Sequence, residues 1–350
     1  MSIKGQIKKS LIYVFSKSLK ACSIVHSLDR IARSAQKSAP ILQSADKSLF
    51  TSQALFEGYS TDYYNFLLCS KQERENQLKR IFYRNVKYYL DLENPVTFNQ
   101  KVQWLKLNYS DPRISRCVDK AEFKKYIAEQ LGEGYTVPSY GEWDHENKID
   151  FDQLPNRFIL KSNVQSDARH ILFVKNKVDL DIDCVKTVLA NWLLRKNNLC
   201  SSFCNAYHSV TPKILAEEYL EPSSGNIVDY KFYCYNGVCR HFLVCKDRGA
   251  NTKYINYDMN MNCIAPSPKS YVTAEKYERD AQFEKMLEIA HKLAQPFPLV
   301  RVDFYDVDGK IYVGELTFYP GGGYNTYSRE WDEKFGSYLT LPEANVTYDK

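Results

Sequence analysis

The stretch at residues 301–323 reads RVDFYDVDGKIYVGELTFYPGGG, two apolar runs meeting at Asp308-Gly309. Asp-Gly between such runs is a strong short-range signal for a tight hairpin. The pattern predicts strands over 300–305 and 310–316. Each run carries a carboxylate where an apolar residue would be ordinary: Asp303 between Val302 and Phe304, and Glu315 between Gly314 and Leu316. The hairpin sets these carboxylates side by side, where they repel unless a cation lies between them. Mg2+ takes one or two protein carboxylates together with phosphate oxygens and water. Strand residues alternate faces, so Arg301 shares a face with Asp303, and Thr317 with Glu315. Pro320-Gly321-Gly322-Gly323 follows directly. Glycines open backbone angles closed to other residues and allow a ligand to come close, and their amides can cradle an anion. A metal or phosphate site is expected here. The competing reading is a surface hairpin with a flexible glycine linker.

Working outward, FILK at 158–161 reads as a strand ending on Lys161, and 170–174 as another. A helix is expected over 181–196 and a strand over 214–220. Strands at 230–235 and 240–245 flank a hairpin turn at Asn236-Gly237, and a helix with an apolar stripe covers 281–293. Upstream, 72–89 reads as a helix, and Asn94-Pro95 breaks the chain. Thr97 and Gln100 form a capping-box pattern for the next helix. A further helix covers 120–130 and stops near Gly132. The class is α+β with antiparallel hairpins.

The chain has 350 residues, of which 44 % are hydrophobic, enough for a packed core. It has no apolar run of about 18 residues, so no transmembrane helix is expected. The formal net charge is +5. Residues 1–50 carry nine Lys or Arg against two acids, a net of +7, which leaves −2 on the remainder. The globular part is therefore not basic, and no nucleic-acid partner is expected. Apolar residues at 7, 11, 14, 21, 25 and 28 share one side of a helix among lysines. That pattern suits a basic helix on an anionic membrane surface, with peripheral contact through residues 1–30. It equally suits a tail, or a helix docked on the body. The ten cysteines lack paired CxxC spacing, which argues against a zinc site. Cys234 and Cys245 lie in strand-like runs and are expected as buried thiols. The N-terminus shows no clean apolar core with a cleavage site, so a reducing cytoplasm is the expected compartment.

Six stretches carry a resemblance to a known family. They are NPVTFNQKVQWLKL (94–107), DKAEFKKYIAEQLG (119–132), FDQLPNRFILKSN (151–163), ILAEEYLE (214–221), DYKFYCYNG (229–237) and the 301–323 segment. In this order they resemble the TupA-like branch of the ATP-grasp superfamily, from about residue 82 to 342. The resemblance implies an α+β ATP-grasp fold whose two subdomains grip ATP. Expected divisions are a basic, mostly helical extension (1–75), a preceding region (76–157), a lid subdomain (158–221), a C-terminal subdomain with the Mg-ATP site (222–342) and a tail (343–350).

The resemblance also assigns roles. Lys120 and Lys161 correspond to lysines that contact nucleotide phosphates. Glu217, Glu218 and Leu220 fall in the adenine hinge, Asp229 aligns near the acid that holds the ribose, and Lys231 is a further ATP-binding candidate. Asp303 and Glu315 correspond to Mg2+ carboxylates, with Thr317 where many relatives have Asn. Arg301 matches an arginine that supports the reacting groups, and Gly321, Gly322 and Gly323 lie where an acceptor or acylphosphate would sit. The implied reaction is ATP-dependent ligation of a carboxylate to an amine, joining an amino acid to a uronic acid of a surface polysaccharide or its precursor. One departure stands out: the loop at 162–170 has no glycine and includes Asp167. Asn163, Arg169 and His170 are its candidate lid residues. The departure leaves open a catalytically degenerate nucleotide-binding scaffold; a second alternative is a sugar kinase or phosphotransferase of the same fold.

Overall fold

The computed structural model describes residues 69–164, 170–193, 205–207, 210–247 and 252–346. The helix expected near the N-terminus and Arg169 lie outside the described residues, as does almost all of the extension to residue 75.

Helix α1 (Lys71–Val86) starts at a capping box. The Ser70 hydroxyl accepts from the Glu73 amide, and the Glu73 carboxylate accepts from the Ser70 amide. It ends before the sequence pattern suggests because Lys87 turns left-handed, at φ 65°. Helix α2 (Phe98–Asn108) starts at the expected Thr97–Gln100 capping box. Helix α3 (Pro112–Val118) was not foreseen; it leads directly into α4 (Lys120–Leu131), which Asp119 caps and Gly132 ends.

Two antiparallel sheets follow. The smaller has the order β1-β4-β2-β3, from Ser139–Trp143, Ile214–Glu218, Phe158–Ser162 and Ile171–Val174. Strand β1 comes from upstream of the lid stretch and pairs with β4, an arrangement that no local pattern announces. Phe158, Leu160, Ile214 and Ala216 pack against Val185, Leu189 and Trp192 of α5 (Ile182–Leu193) in a separate small core.

The larger sheet has the order β10-β9-β5-β6-β7-β8. Its strands are β5 (Val228–Tyr235), β6 (Val238–Lys246), β7 (Lys253–Asp258), β8 (Cys263–Ile264), β9 (Leu299–Val307) and β10 (Lys310–Thr317). Both foreseen hairpin turns form. Asn236-Gly237 has φ 45° and 83°, and Asp308-Gly309 has φ 52° and 83°, the left-handed pair that matches strand twist. Helix α6 (Ala281–Ala294) covers one face, where Phe232, Phe242, Phe283 and Phe304 form an aromatic core. Cys234 and Cys245 are buried free thiols, as expected; Cys234 belongs to this core, and Cys245 stands opposite Asp229 on the other face of the sheet. Among the described residues no helix is long and apolar enough to cross a membrane.

A last helix, α7 (Arg329–Ser337), packs on the start of α2. Asp332 accepts from the Asn99 amide at 2.9 Å and from Tyr88 Oη at 2.5 Å. The backbones approach so closely that a Cβ on Gly336 would lie 2.1 Å from the Val96 carbonyl oxygen. Backbone cannot move aside as a side-chain tip can. Gly336→Ala should therefore destabilise the protein by about 2–4 kcal/mol, read as a lower urea midpoint.

Candidate active site

Hairpin β9–β10 places the expected carboxylates opposite each other. Glu315 pairs with Asp303, and Thr317 with Arg301. A register shift between Val313 and Glu315 creates this pairing. It centres on Gly314, where a Cβ would meet the Tyr305 ring at 2.7 Å.

The two carboxylates have different surroundings. Asp303 is 2 % exposed. Arg301 grips it through Nε and Nη2, at 2.6 and 2.7 Å, and Lys231 Nζ reaches it from β5 at 2.5 Å. Burial alone would raise the Asp303 carboxyl, but these two cations outweigh it and hold the group below its ordinary range. In return Asp303 overcomes burial at Lys231 and holds that ammonium above its usual range. Arg301 also donates to Thr317 Oγ1 at 3.1 Å, and Asp229 lies 3.5 Å from Lys231 Nζ. The cation expected between Asp303 and Glu315 is thus partly supplied by the protein itself. Glu315 is the more open of the two, only half-buried.

The small sheet contributes a second charged group. Glu217 is 5 % exposed and is held by Lys161 at 2.5 Å and Lys124 at 2.7 Å. Burial pushes its carboxyl up, and the two lysines more than reverse the shift, leaving it below the ordinary range. The expectation that Glu217 lines a hinge and Lys161 contacts phosphate therefore meets a direct pairing of the two. Lys124 was missed in the sequence. The available signal was its spacing from Lys120, one turn along the same helix face. Burial lowers the Lys120 ammonium; the charges of Glu315 and Glu217 oppose that, and Lys161 adds to it. Lys120 thus senses both sheets.

Asn163 is less a mobile lid residue than a pin. It is fully buried, donates to Asp119 Oδ1 and to the Thr211 carbonyl, both at 2.9 Å, and accepts from the Lys213 amide at 2.6 Å. His170 sits against Trp192, ring centroids 6.0 Å apart. Glu218 ends β4, and Leu220 follows in the loop.

The glycine segment is an ordered turn rather than a flexible linker. Gly321, Gly322 and Gly323 all have positive φ, at 60°, 63° and 68°. A Cβ on Gly323 would lie 2.4 Å from Gln103 Nε2 and 2.8 Å from Val102. The turn is seated on α2, a role for that helix which its apolar spacing did not suggest.

The family described as TupA-like ATPgrasp matches residues 100–340. The chain belongs to this family, and its fold is the ATP-grasp α+β fold. Among solved structures it is similar to the D-alanine–D-alanine ligase from Bacillus anthracis, at 19 % identity over 68 % of this chain and 69 % of that one, with TM-score 0.41. It is also similar to the Helicobacter pylori D-Ala-D-Ala ligase, at 14 % identity over 69 % of each chain, with TM-score 0.39. The D-alanyl-alanine synthetase A from Vibrio cholerae aligns at 11 % identity over 69 % of this chain and 63 % of that one, with TM-score 0.38. No curated protein matches.

Glu217 offers a test by pH. Its folded-state pKa lies below the unfolded value of about 4.3, so its stabilisation is complete above that pH and is lost as pH falls through the lower folded value. Glu217→Gln should cost about 2 kcal/mol at pH 7, and less at pH 3, in urea denaturation. An equal cost at both pH values would show that the carboxylate is not ionised in the fold.

Proposed function

We propose that this protein is an ATP-dependent carboxylate–amine ligase acting through an acylphosphate. Its substrates are a uronic acid of a surface polysaccharide or precursor, and an amino acid. One observation carries the reading. Lys120, Lys124, Lys161, Lys231 and Arg301 converge with Glu217, Asp303 and Glu315 around the two sheets. Such a cluster suits a polyanionic ligand, because phosphoryl transfer is catalysed by positioning and charge neutralisation.

In this reading a substrate carboxylate oxygen bonds to the γ-phosphorus of ATP as the bridging P–O bond breaks, and ADP leaves with the electron pair. An amine nitrogen then bonds to the acyl carbon, phosphate departs, and the nitrogen loses its proton to solvent. Lys120 and Lys161 hold phosphate oxygens, and Lys161 exchanges Glu217 for the nucleotide while Lys124 keeps Glu217 ionised. Glu218 and Leu220 offer the C-terminal end of β4 and its following loop to adenine. Asp229, beside Lys231, takes the ribose end. Arg301 neutralises charge that develops at the transferred group.

Magnesium is part of the proposal. Among the described residues no group of three or more His, Cys, Asp or Glu could enclose a metal. A metal here would use at most the opposed Asp303–Glu315 pair with Thr317, a set that fits Mg2+ because phosphate oxygens and water complete its shell. When bound, Mg2+ would neutralise phosphoryl oxygens. We place the protein at the cytoplasmic side, with residues 1–30 as its peripheral membrane contact. A second reading, a nucleotide-binding scaffold without catalysis, draws on the internal pairing of Lys161 with Glu217 and of Asp303 with Arg301 and Lys231.

Hydroxylamine distinguishes these readings, because it traps an acylphosphate as a hydroxamate. The ligase reading expects hydroxamate and ADP from Mg-ATP with a panel of uronic acids. Mg-ATP binding without hydroxamate favours the scaffold, and a phosphorylated sugar marks a kinase. Glu315→Gln should lower turnover by at least about 100-fold with an unchanged urea midpoint, since the side chain is half-buried and on a strand rim. Asp303→Asn should in addition lose about 3–5 kcal/mol of stability, because Arg301 and Lys231 lose their shared counter-charge. Full turnover in Glu315→Gln would sink the site assignment.

A further inference from the structure

The end of β2 and the start of α4 meet at one buried residue. Asn163 follows Ser162, the last residue of β2, and is 0 % exposed. A buried amide must find partners for its donors and its acceptor, and Asn163 finds them in two other segments of the chain. Its Nδ2 donates to Asp119 Oδ1 and to the Thr211 carbonyl, both at 2.9 Å, and its Oδ1 accepts from the Lys213 amide at 2.6 Å. Its own amide donates to the Lys213 carbonyl at 3.0 Å, which carries the β2–β4 pairing one residue past Ser162 and Ile214. Its carbonyl accepts from the Lys120 amide at 3.4 Å and lies 3.5 Å from Lys120 Nζ. The same Asp119 oxygen caps α4 by accepting from the Ala121 amide at 2.9 Å.

What this joint holds together is a pair of like charges. Lys161 lies two residues before Asn163 on β2, and Lys120 opens α4. Burial lowers the Lys120 ammonium most, and the neighbouring charge of Lys161 lowers it further. A second tie between α4 and the small sheet stands one turn on, where Lys124 pairs with Glu217 at 2.7 Å. That tie is ionic, and Glu217 divides itself between Lys124 and Lys161. A polyanion that draws Lys161 away therefore alters it. The Asn163 side chain bonds only to Asp119 and to the backbone of Thr211 and Lys213, so its hold persists when the ammonium groups change partners. Two cations held at a set spacing suit a ligand whose negative charges are themselves spaced along a chain, because no charge then has to be rearranged on binding.

We propose that Asn163 is a positioning residue that fixes Lys120 and Lys161 as one two-pronged clamp for a chain of phosphates. Asn163 does not touch the ligand; it acts through the first turn of α4 and the end of β2. This rests on the nucleotide site of the reading above and is independent of the ligation step.

The test is calorimetry on the full chain with Mg-ATP, which offers a chain of phosphates, and with AMP, which offers a single one. Asn163→Ala should weaken Mg-ATP binding by about tenfold or more, the scale of a lost hydrogen bond to a charged group, while AMP affinity stays within about twofold. Asn163→Asp turns the donor that faces Asp119 into an acceptor and should bind Mg-ATP more weakly still. Adding Asp119→Asn to Asn163→Asp exchanges donor and acceptor across the same contact and keeps a good helix cap. The double variant should recover most of the lost Mg-ATP affinity. Where Asn163→Ala does not fold, Asn163→Ser takes its place, since a hydroxyl can still accept from the Lys213 amide but is too short to reach Asp119. If neither folds, Asn163 is a structural residue and the proposal falls. Wild-type Mg-ATP affinity in either folded variant overturns it. So does an equal loss for Mg-ATP and AMP, which marks a residue that supports the fold alone, and so does a double variant no better than Asn163→Asp. A wild type that binds neither nucleotide brings down the nucleotide site itself, and with it the ligase reading.

Discussion

Asp303 keeps its charge in a place where burial opposes it, and three strands are committed to that outcome. Strand β9 supplies the carboxylate and Arg301, β5 supplies Lys231, and β10 supplies Thr317 to receive the second arm of Arg301. An ionised carboxylate so deeply buried is tolerable only with close counter-charges and full hydrogen bonding. The three strands must therefore hold register with one another, and the bulge at Gly314 is what delivers Glu315 to the same level. Each partner covers for the others: Asp303 stays ionised because of Arg301 and Lys231, and Lys231 stays charged because of Asp303.

The small sheet repeats this logic with the same stoichiometry. There two lysines share one buried carboxylate, Glu217. The two groups are linked through Lys120, whose ammonium feels Glu315 from one side and Glu217 from the other. A polyanion entering here would find cations already placed, each held by a partner that it can replace. Preorganisation of this kind lowers the cost of arranging charge when a ligand binds. The triglycine turn extends the same design, with its conformation set from behind by α2.

Much of this was readable along the chain, for a definable reason. Capping at Thr97–Gln100, the end of a helix at Gly132, and both left-handed hairpin turns are local events, settled by residues a few positions apart. The Asp303–Glu315 pairing was readable because a tight hairpin makes two strands neighbours in space as well as in sequence. Strand β1 and helix α7 were not foreseen, since each owes its form to a distant partner: β4 for the one and the start of α2 for the other. Glu217 illustrates the boundary well. Its place at a strand end was legible, but the direction of its carboxylate toward Lys124 and Lys161 was not.

The sequence by itself determined the α+β class, the hairpins, the order of the charged motifs and hence the family resemblance. These depend on short-range geometry and on chain order. Tertiary structure decided which charges compensate one another. It matched Asp303 with Lys231, Glu217 with Lys124, and the glycine turn with Gln103 and Lys106. Residues 301–323 carry the pattern expected of a site for a cation and an anion, yet the charged and polar side chains gathered around them come from β5, α4 and α2. The reason is electrostatic: a buried charge is stabilised by whatever lies within a few ångströms of it, and distance along the chain has no part in that.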